Sequence, residues 1–321
     1  MTIKQVAVIG GAGFVGSSIV SKLDAAGFQV KVLTRHRERG KHLILLPHVK
    51  VQNCNLSDDA ALSASLSGCD AVINLVGILH ERKNSTFESA HHQLPKRIAN
   101  TCHQLGIKRL IHMSALGADL TAPSQYLRSK AQGEAAIKTF QEVMNITIFQ
   151  PSVIFGRDDQ FLNLFASLVR YLPMIILAKP AAKFQPIWID DVASIVVNSL
   201  QNDDTYGNSY PLGGPEVYTL QNLIEKIMQA LHKKRPILGL GDRLSYLQAG
   251  LMELLPVQLM SRDNVRSMEV DSVLDGEMAQ EIQMTLTSLD AVLPSYIQNE
   301  TPRGAYHQFR AAAGRVINAR R

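Results

Sequence analysis

The chain has 321 residues, a net charge of +5, 46% hydrophobic and 19% charged residues, and three cysteines. That length can bury a large core without disulfide or metal staples, and the composition excludes a disordered, collagen-like or coiled-coil chain. Cys54, Cys69 and Cys102 are odd in number with no paired spacing, which excludes a disulfide framework or zinc ribbon and suits a reducing compartment.

A strand pattern begins by Ile3, so no targeting peptide is expected. The longest apolar runs, such as residues 172–178, fall far short of the roughly 20 residues that a membrane span needs. The expectation is a cytoplasmic protein without a transmembrane segment. Two basic clusters, residues 34–41 and the tail with Arg303, Arg310, Arg315, Arg320 and Arg321, leave open peripheral contact with the inner face of a membrane. Aromatic content of 6% without a stacking motif argues against nucleic acid as a partner.

In chain order, strands are predicted over residues 5–10, 28–34, 49–54, 71–77, 109–114 and 146–151. Their apolar runs are continuous rather than alternating, as in a parallel sheet covered on both faces. Between them lie helical patterns. Val15, Ile19 and Leu23 share a face before a stop at Gly27, Ser57 caps a helix that Gly68 ends, and residues 87–105 form a helix interrupted at Pro95. Beyond residue 156 the pattern loosens. A helix over QFLNLFASLVRYLP leaves the sheet, a strand over 184–189 returns, and Asp190 or Asp191 caps the helix VASIVVNSL. A Thr219-capped helix to about His232 and an irregular helix-rich segment complete the chain. In that segment Leu247, Leu251 and Leu254 recur at helical spacing, which reads as core, with a surface for a greasy substrate or partner as the other reading.

The fold class is therefore α/β: a Rossmann-type doubly wound parallel sheet with a smaller C-terminal substrate lobe. Residues 1–155 and 184–203 are assigned to the nucleotide domain, and 156–183 and 204–321 to the smaller lobe.

Gly10, Gly13 and Gly16 follow the first strand and open a helix. That context marks a dinucleotide site, with a tight turn, close backbone approach to a pyrophosphate, and a helix N-terminus facing the phosphates. At the end of the second strand, where NAD-binding chains carry an acid, stand Thr34 and Arg35, with Arg37 and Arg39 behind. A guanidinium there suits a 2′-phosphate, so NADP(H) is favoured over NAD(H).

Tyr126 and Lys130 lie four apart in YLRSK, on one face of a helix that Ser124 caps, and Ser114 ends the preceding strand. A phenol needs a neighbouring cation to exchange its proton near neutrality, and a serine hydroxyl can bind a carbonyl oxygen as it gains charge. These three are the candidate catalytic residues. Histidine spacing offers no metal site, and a metal or hydrolase mechanism has no support.

The segments SALGA, YLRSK, QPSVIFGRDDQFLN, FQPIWIDDVA and GGPEVYTL resemble the extended and atypical short-chain dehydrogenase/reductases. More narrowly, they are similar to the NAD(P)-binding accessory-subunit family of respiratory complex I, bacterial members included. The resemblance implies bound NADPH and a role near quinone metabolism or the respiratory chain, with the nucleotide structural in the mitochondrial complex. It assigns Gly10, Gly13, Phe14, Val15 and Gly16 to the nucleotide loop and Arg35 to the 2′-phosphate. Asn55 and Leu56 fall at the adenine, Leu75, Val76 and Gly77 along the cofactor, Lys130 at the nicotinamide ribose, and Pro151 and Ser152 near the nicotinamide.

Two readings of function follow. One is an NADPH-dependent reductase of a carbonyl or quinone-like substrate. The other is a nucleotide-loaded structural or assembly factor of a respiratory or quinone-synthesis complex. A third, a nucleotide-sugar epimerase or dehydratase, lacks an identifiable sugar-diphosphate pocket.

Overall fold

The computed structural model describes residues 3–82, 85–253 and 260–297. The strands in chain order are β1 (Gln5–Ile9), β2 (Gln29–Thr34), β3 (Val49–Asn53), β4 (Ala71–Asn74), β5 (Arg109–Met113), β6 (Asn145–Pro151), β7 (Ile154–Phe155), β8 (Ile175–Ala178), β9 (Lys183–Phe184), β10 (Ile187–Trp188), β11 (Ser209–Leu212), β12 (Tyr218–Thr219) and β13 (Ile237–Leu240). The α-helices are α1 (Phe14–Ala25), α2 (Asp59–Leu66), α3 (Leu94–Gln104), α4 (Gln125–Lys138), α5 (Leu162–Tyr171), α6 (Ile189–Ser199), α7 (Leu220–Ala230), α8 (Asp242–Met252), α9 (Arg262–Ser267) and α10 (Leu289–Ile297).

Seven strands form one sheet in the order β11-β6-β5-β4-β1-β2-β3, and every pairing in it is parallel. The chain moves outward from β1 to β3, then returns to place β4 on the other side of β1. The carboxyl ends of β1 and β4 thus flank the reversal where ligands bind in such sheets. Helices α1 and α6 cover one face through Ile19, Val20, Leu23, Val192 and Val196. On the other face Leu62 and Leu66 of α2, Ile98 of α3 and Ile137 of α4 pack over Val72, Leu110 and Ile146. Each such side chain, fully buried, contributes about 1.5–3 kcal/mol. Strand β11, from the segment expected for the smaller lobe, supplies the seventh strand.

A second core gathers α5, α7 and α10 around Phe155, Val169, Leu223, Ile227 and Leu293. Small two-stranded pairings, β7 with β10, β9 with β12 and β8 with β13, frame it.

Arg109, at the start of β5, is buried and makes no ion pair among the described residues, with Asp203 acting on it only from a distance. Its guanidinium donates to the Ser199 and Leu200 carbonyls at the C-terminus of α6, to the Asn145 carbonyl, and to the Thr147 and Thr205 hydroxyls. Tyr206 stacks on it at 4.5 Å. The negative end of a helix dipole takes the place of a counter-ion, and burial pushes the guanidinium down to about 10.

Four local expectations are corrected. Asp58, not Ser57, caps α2, accepting from the Ala60 and Ala61 amides, because Ser57 is held one step outside by the Asn55 side chain. Asp190 and Asp191 lie inside the first turn of α6 rather than capping it, and the Asp191 carboxylate accepts from the Thr287 amide and hydroxyl. The strand expected over 184–189 is divided between β9 and β10. Leu247 and Leu251 are exposed rather than core, at 60% and 61%, and Leu254 lies outside the described residues, as do the tail arginines.

The segment before Pro95 is wound as a π-helix, Glu88–Gln93, and α3 starts at Leu94. Proline has no amide to bond the carbonyl four residues back, which is that of His91. That carbonyl lies instead against Gly133 of α4, where a β-carbon would stand 1.9 Å from its oxygen. Only glycine allows α4 this close.

Candidate functional site

The site is built along the carboxyl edge of β1, β4 and β5. At the glycine turn, Gly10 has φ +84°, a left-handed conformation natural to glycine, and the Gly13 amide donates to its carbonyl at 3.0 Å. A β-carbon at Gly16 would fall 2.4 Å from the Gly10 oxygen, so this position admits only glycine. One at Gly13 would meet nothing nearer than that same oxygen at 3.3 Å, which leaves its outer side open. Helix α1 begins there with no side-chain cap and no acidic residue in its first turn. The amides of Phe14 and Val15 thus present partial positive charge beside an open glycine, a cradle that fits a pyrophosphate.

Thr34 closes β2, and its hydroxyl accepts from the His36 amide at 3.2 Å. Arg35 is exposed, with no ion pair among the described residues. Residues Arg37–Leu45 form a 3-10 turn tied back to α1 through His42 and Ser17 at 2.9 Å. Asn55 is exposed and caps its own loop, while Leu56 is buried under it. Leu75 and Val76 follow β4 half-buried, the Leu75 amide bonded to the Ile9 carbonyl across the sheet.

Gly77 continues this edge, and a β-carbon on it would lie 3.3 Å from the Lys130 Nζ. Lys130 is buried, donates to the Met113 carbonyl at 3.1 Å, and is pushed by desolvation down to about 8, against an opposing pull from Glu134. Ser114, the next residue after Met113, is buried, and its hydroxyl has no partner among the described residues. An unsatisfied buried hydroxyl costs about 1–3 kcal/mol, which a bound acceptor would relieve. Tyr126 stands one turn before Lys130, its ring edge-on to His91 and Phe87 at 5.5 and 6.0 Å. Burial pushes its phenol up to about 12. Pro151 ends β6, and beyond it the Ser152 hydroxyl is engaged by Ser272 and the Gln185 amide, while its own amide donates to the Leu212 carbonyl at 2.8 Å.

Three contributors were not singled out from the sequence. His91 is buried on the π-helix; its Nε2 accepts from the Ile78 amide at 2.9 Å, so Nδ1 carries the proton and donates to the Ser129 hydroxyl at 2.8 Å. Ser129 in turn donates to the Tyr126 carbonyl. Desolvation, with the Lys130 charge adding, pushes His91 down to about 2. His112 of β5 accepts at Nδ1 from Asn74, leaves Nε2 unpartnered, and is pushed to about 3 for the same reasons. Asp263, at the N-terminus of α9, accepts from the Gln125 and Tyr126 amides at 2.7 and 3.0 Å and thus caps α4 together with Ser124. No short-range motif marks a cap supplied from 137 residues away.

A family model for NAD(P)H-binding domains matches residues 10–160. The mitochondrial NADH dehydrogenase [ubiquinone] 1 alpha subcomplex subunit 9 of Arabidopsis thaliana is 35% identical over 227 residues, 68% of this chain and 56% of that relative. The 40 kDa subunit of NADH-ubiquinone oxidoreductase from Neurospora crassa is 28% identical, covering 84% of this chain and 72% of the relative. The chain therefore spans little more than half the length of the Arabidopsis relative. Among solved structures, an Escherichia coli NADPH-dependent quinone oxidoreductase complexed with NADPH superposes with a TM-score of 0.74 at 17% identity, over 92% of this chain and all of that one. That last likeness is one of fold. These matches place an NAD(P)H-binding domain over residues 10–160 and show the chain to be homologous to the 40 kDa-type subunits of respiratory complex I.

Proposed function

We propose that the protein is an NADP(H)-dependent reductase of a carbonyl or quinone-like substrate, with the nucleotide domain carrying the cofactor and the later segments shaping the substrate side. The observation that carries this reading is the buried Ser114 hydroxyl at the end of β5, without a partner among the described residues and next to Met113, whose carbonyl Lys130 bonds. Gly10, Gly13, Phe14, Val15 and Gly16 would hold the pyrophosphate, Thr34 and Arg35 the 2′-phosphate, and Asn55 and Leu56 the adenine side. Leu75, Val76, Gly77, Lys130, Pro151 and Ser152 would line the nicotinamide half. When bound, the dinucleotide supplies a hydride to the substrate carbon.

The chain's own residues do the rest. Ser114 orients the substrate oxygen with its free hydroxyl. Tyr126, protonated at neutral pH, gives that oxygen its proton as negative charge develops. The Lys130 ammonium stabilises the phenolate left behind, which solvent then reprotonates. Burial keeps the Tyr126 phenol protonated at neutral pH, the form that can give up a proton to the substrate oxygen. Above about pH 8 Lys130 loses its charge, so turnover should fall on the alkaline side.

The experiment is a quinone and carbonyl screen with NADPH on the full chain, alongside Tyr126→Phe. Turnover should fall by about 10²–10⁴-fold with NADPH affinity within a few-fold. Unchanged turnover removes Tyr126 from the mechanism. Arg35→Ala should weaken NADPH much more than NADH, and equal losses would overturn the 2′-phosphate assignment. Homology to complex I subunits favours a second reading, a nucleotide-loaded member of a respiratory or quinone-synthesis complex. Stopped-flow release of NADPH separates the two. An enzyme turning over at about 1–10³ per second must release its nucleotide as fast, whereas release over many minutes favours the structural role.

A further inference from the structure

Helix α8 is amphipathic the wrong way round for a core helix. The residues it buries are Ser245 and Ala249, both at 0% exposure, whereas Leu244, Leu247 and Leu251 stand out at 56, 60 and 61%. The buried pair is small because α8 lies close to its neighbours. Ser245 Oγ accepts from the Lys179 amide and approaches the Leu240 carbonyl, and the Gln248 side chain donates to the Ile176 carbonyl on the edge of β8. The strands beside it display aliphatic groups too. Ile176 of β8 and Leu238 of β13 are register partners and both exposed, and Tyr171, Leu172 and Met174 lead into β8 in the same state. Eight of the large hydrophobic residues exposed among the described residues therefore lie on or beside elements in direct contact. Monomeric proteins rarely expose such a cluster without a use for it.

The charges around it are net positive, although Glu269 and Asp271, the latter 3.6 Å from Lys183, line the groove beside Leu240 and Asp242. Asp242 is neutralised by Lys179 at 2.7 Å and Glu253 by Arg262 at 2.8 Å. Lys233 and Lys234, just before β13, and Arg243, in the first turn of α8, are exposed and meet no acid among the described residues. On the other flank Arg266 bonds the Tyr246 hydroxyl at 2.7 Å and meets no acid either. The surface is thus mostly aliphatic, with Tyr171 and Met174 at one end and a border in which cations outnumber acids. Interfaces between proteins tend instead to concentrate aromatic residues at their centre and to be depleted of lysine. Aliphatic residues bordered by lysine and arginine are what an interfacial helix offers to acyl chains and anionic headgroups.

We propose that the face formed by α8, β8 and β13 docks on a bilayer surface bearing anionic lipid, with Leu244, Leu247 and Leu251 entering the headgroup boundary. This goes beyond the reductase reading and does not depend on it. The test is co-sedimentation of the full chain with vesicles of phosphatidylcholine containing about one third phosphatidylglycerol, against phosphatidylcholine alone. The full chain should bind the anionic vesicles, and more weakly as salt rises. The variant Leu244→Gln/Leu247→Gln/Leu251→Gln should partition at least about tenfold less, with its thermal midpoint and NADPH affinity unchanged. Lys233→Glu/Lys234→Glu/Arg243→Glu should remove the preference for anionic over neutral vesicles. Three outcomes overturn the proposal: binding that the leucine variant leaves intact; binding lost only when the five tail arginines are replaced by glutamine; or no vesicle binding, with a dimer in sedimentation equilibrium that the leucine variant dissociates.

Discussion

Helices α7 and α8 are neighbours in sequence and equal in length, each eleven residues. Both carry apolar residues at helical spacing, yet they treat them in opposite ways. Helix α7 buries Leu220, Leu223, Ile224, Ile227 and Met228 against α5 and α10, starting from a Thr219 cap that bonds the Asn222 amide. Helix α8 buries a serine and an alanine and turns its leucines outward. Periodicity fixes which residues share a face. It does not fix which face the rest of the molecule covers. Small residues decide that as strongly as large ones, since a helix pressed close to a strand edge can afford only Ser245 and Ala249 in the contact.

The largest expected effect sets the two helices directly against each other. Ile227→Ala should cost about 2–5 kcal/mol, because it removes a fully buried side chain from an interlocked core. Leu247→Ala should change stability by no more than about 0.5 kcal/mol, being mostly in water already. Urea denaturation of both variants measures the contrast, and a comparable loss in the two would mean that α8 is packed more deeply than its exposure indicates.

A second effect separates the sheet edge from the outer lobe by pH. His91 and His112 are neutral in the folded chain, with their titrations pushed to about 2 and about 3, while unfolded imidazole takes up its proton near 6.5. Their contribution is full above about pH 6.5. Below it the unfolded chain binds protons that the folded chain does not, and stability falls as pH drops, by about 1.4 kcal/mol per unit for each histidine. His91→Gln should make the decline between pH 6.5 and 5 shallower. An equally steep decline in that variant would assign it to other groups.

The smallest effect concerns a bridge from the α8–α9 segment to the site. Asp263→Ala removes a two-oxygen cap from the start of α4 and should cost about 1 kcal/mol. It should also lower turnover while leaving NADPH affinity alone, since the bonds it removes hold the Tyr126 backbone. A thermal midpoint within error of the unsubstituted chain would show that Ser124 suffices as the cap.

What the sequence determined by itself was whatever short-range sterics and periodicity decide. Continuous apolar runs marked six of the seven sheet strands, the glycine spacing marked the nucleotide cradle, and a spacing of four put Tyr126 and Lys130 on one helical face. Ser124 and Thr219 were legible as caps because a cap bonds amides two or three residues ahead. Tertiary structure decided the rest. His91 entered the site because Pro95 cannot bond its carbonyl and Gly133 leaves room for that carbonyl, a fit between two helices that neither reveals alone. Asp263 became the cap of α4 and Asp191 the anchor of Thr287 through contacts across 137 and 96 residues. Arg109 could be buried only where the end of α6 met it. In each case a polar group found its partner across the fold, and burial, which the tertiary arrangement alone creates, is what made that partner necessary.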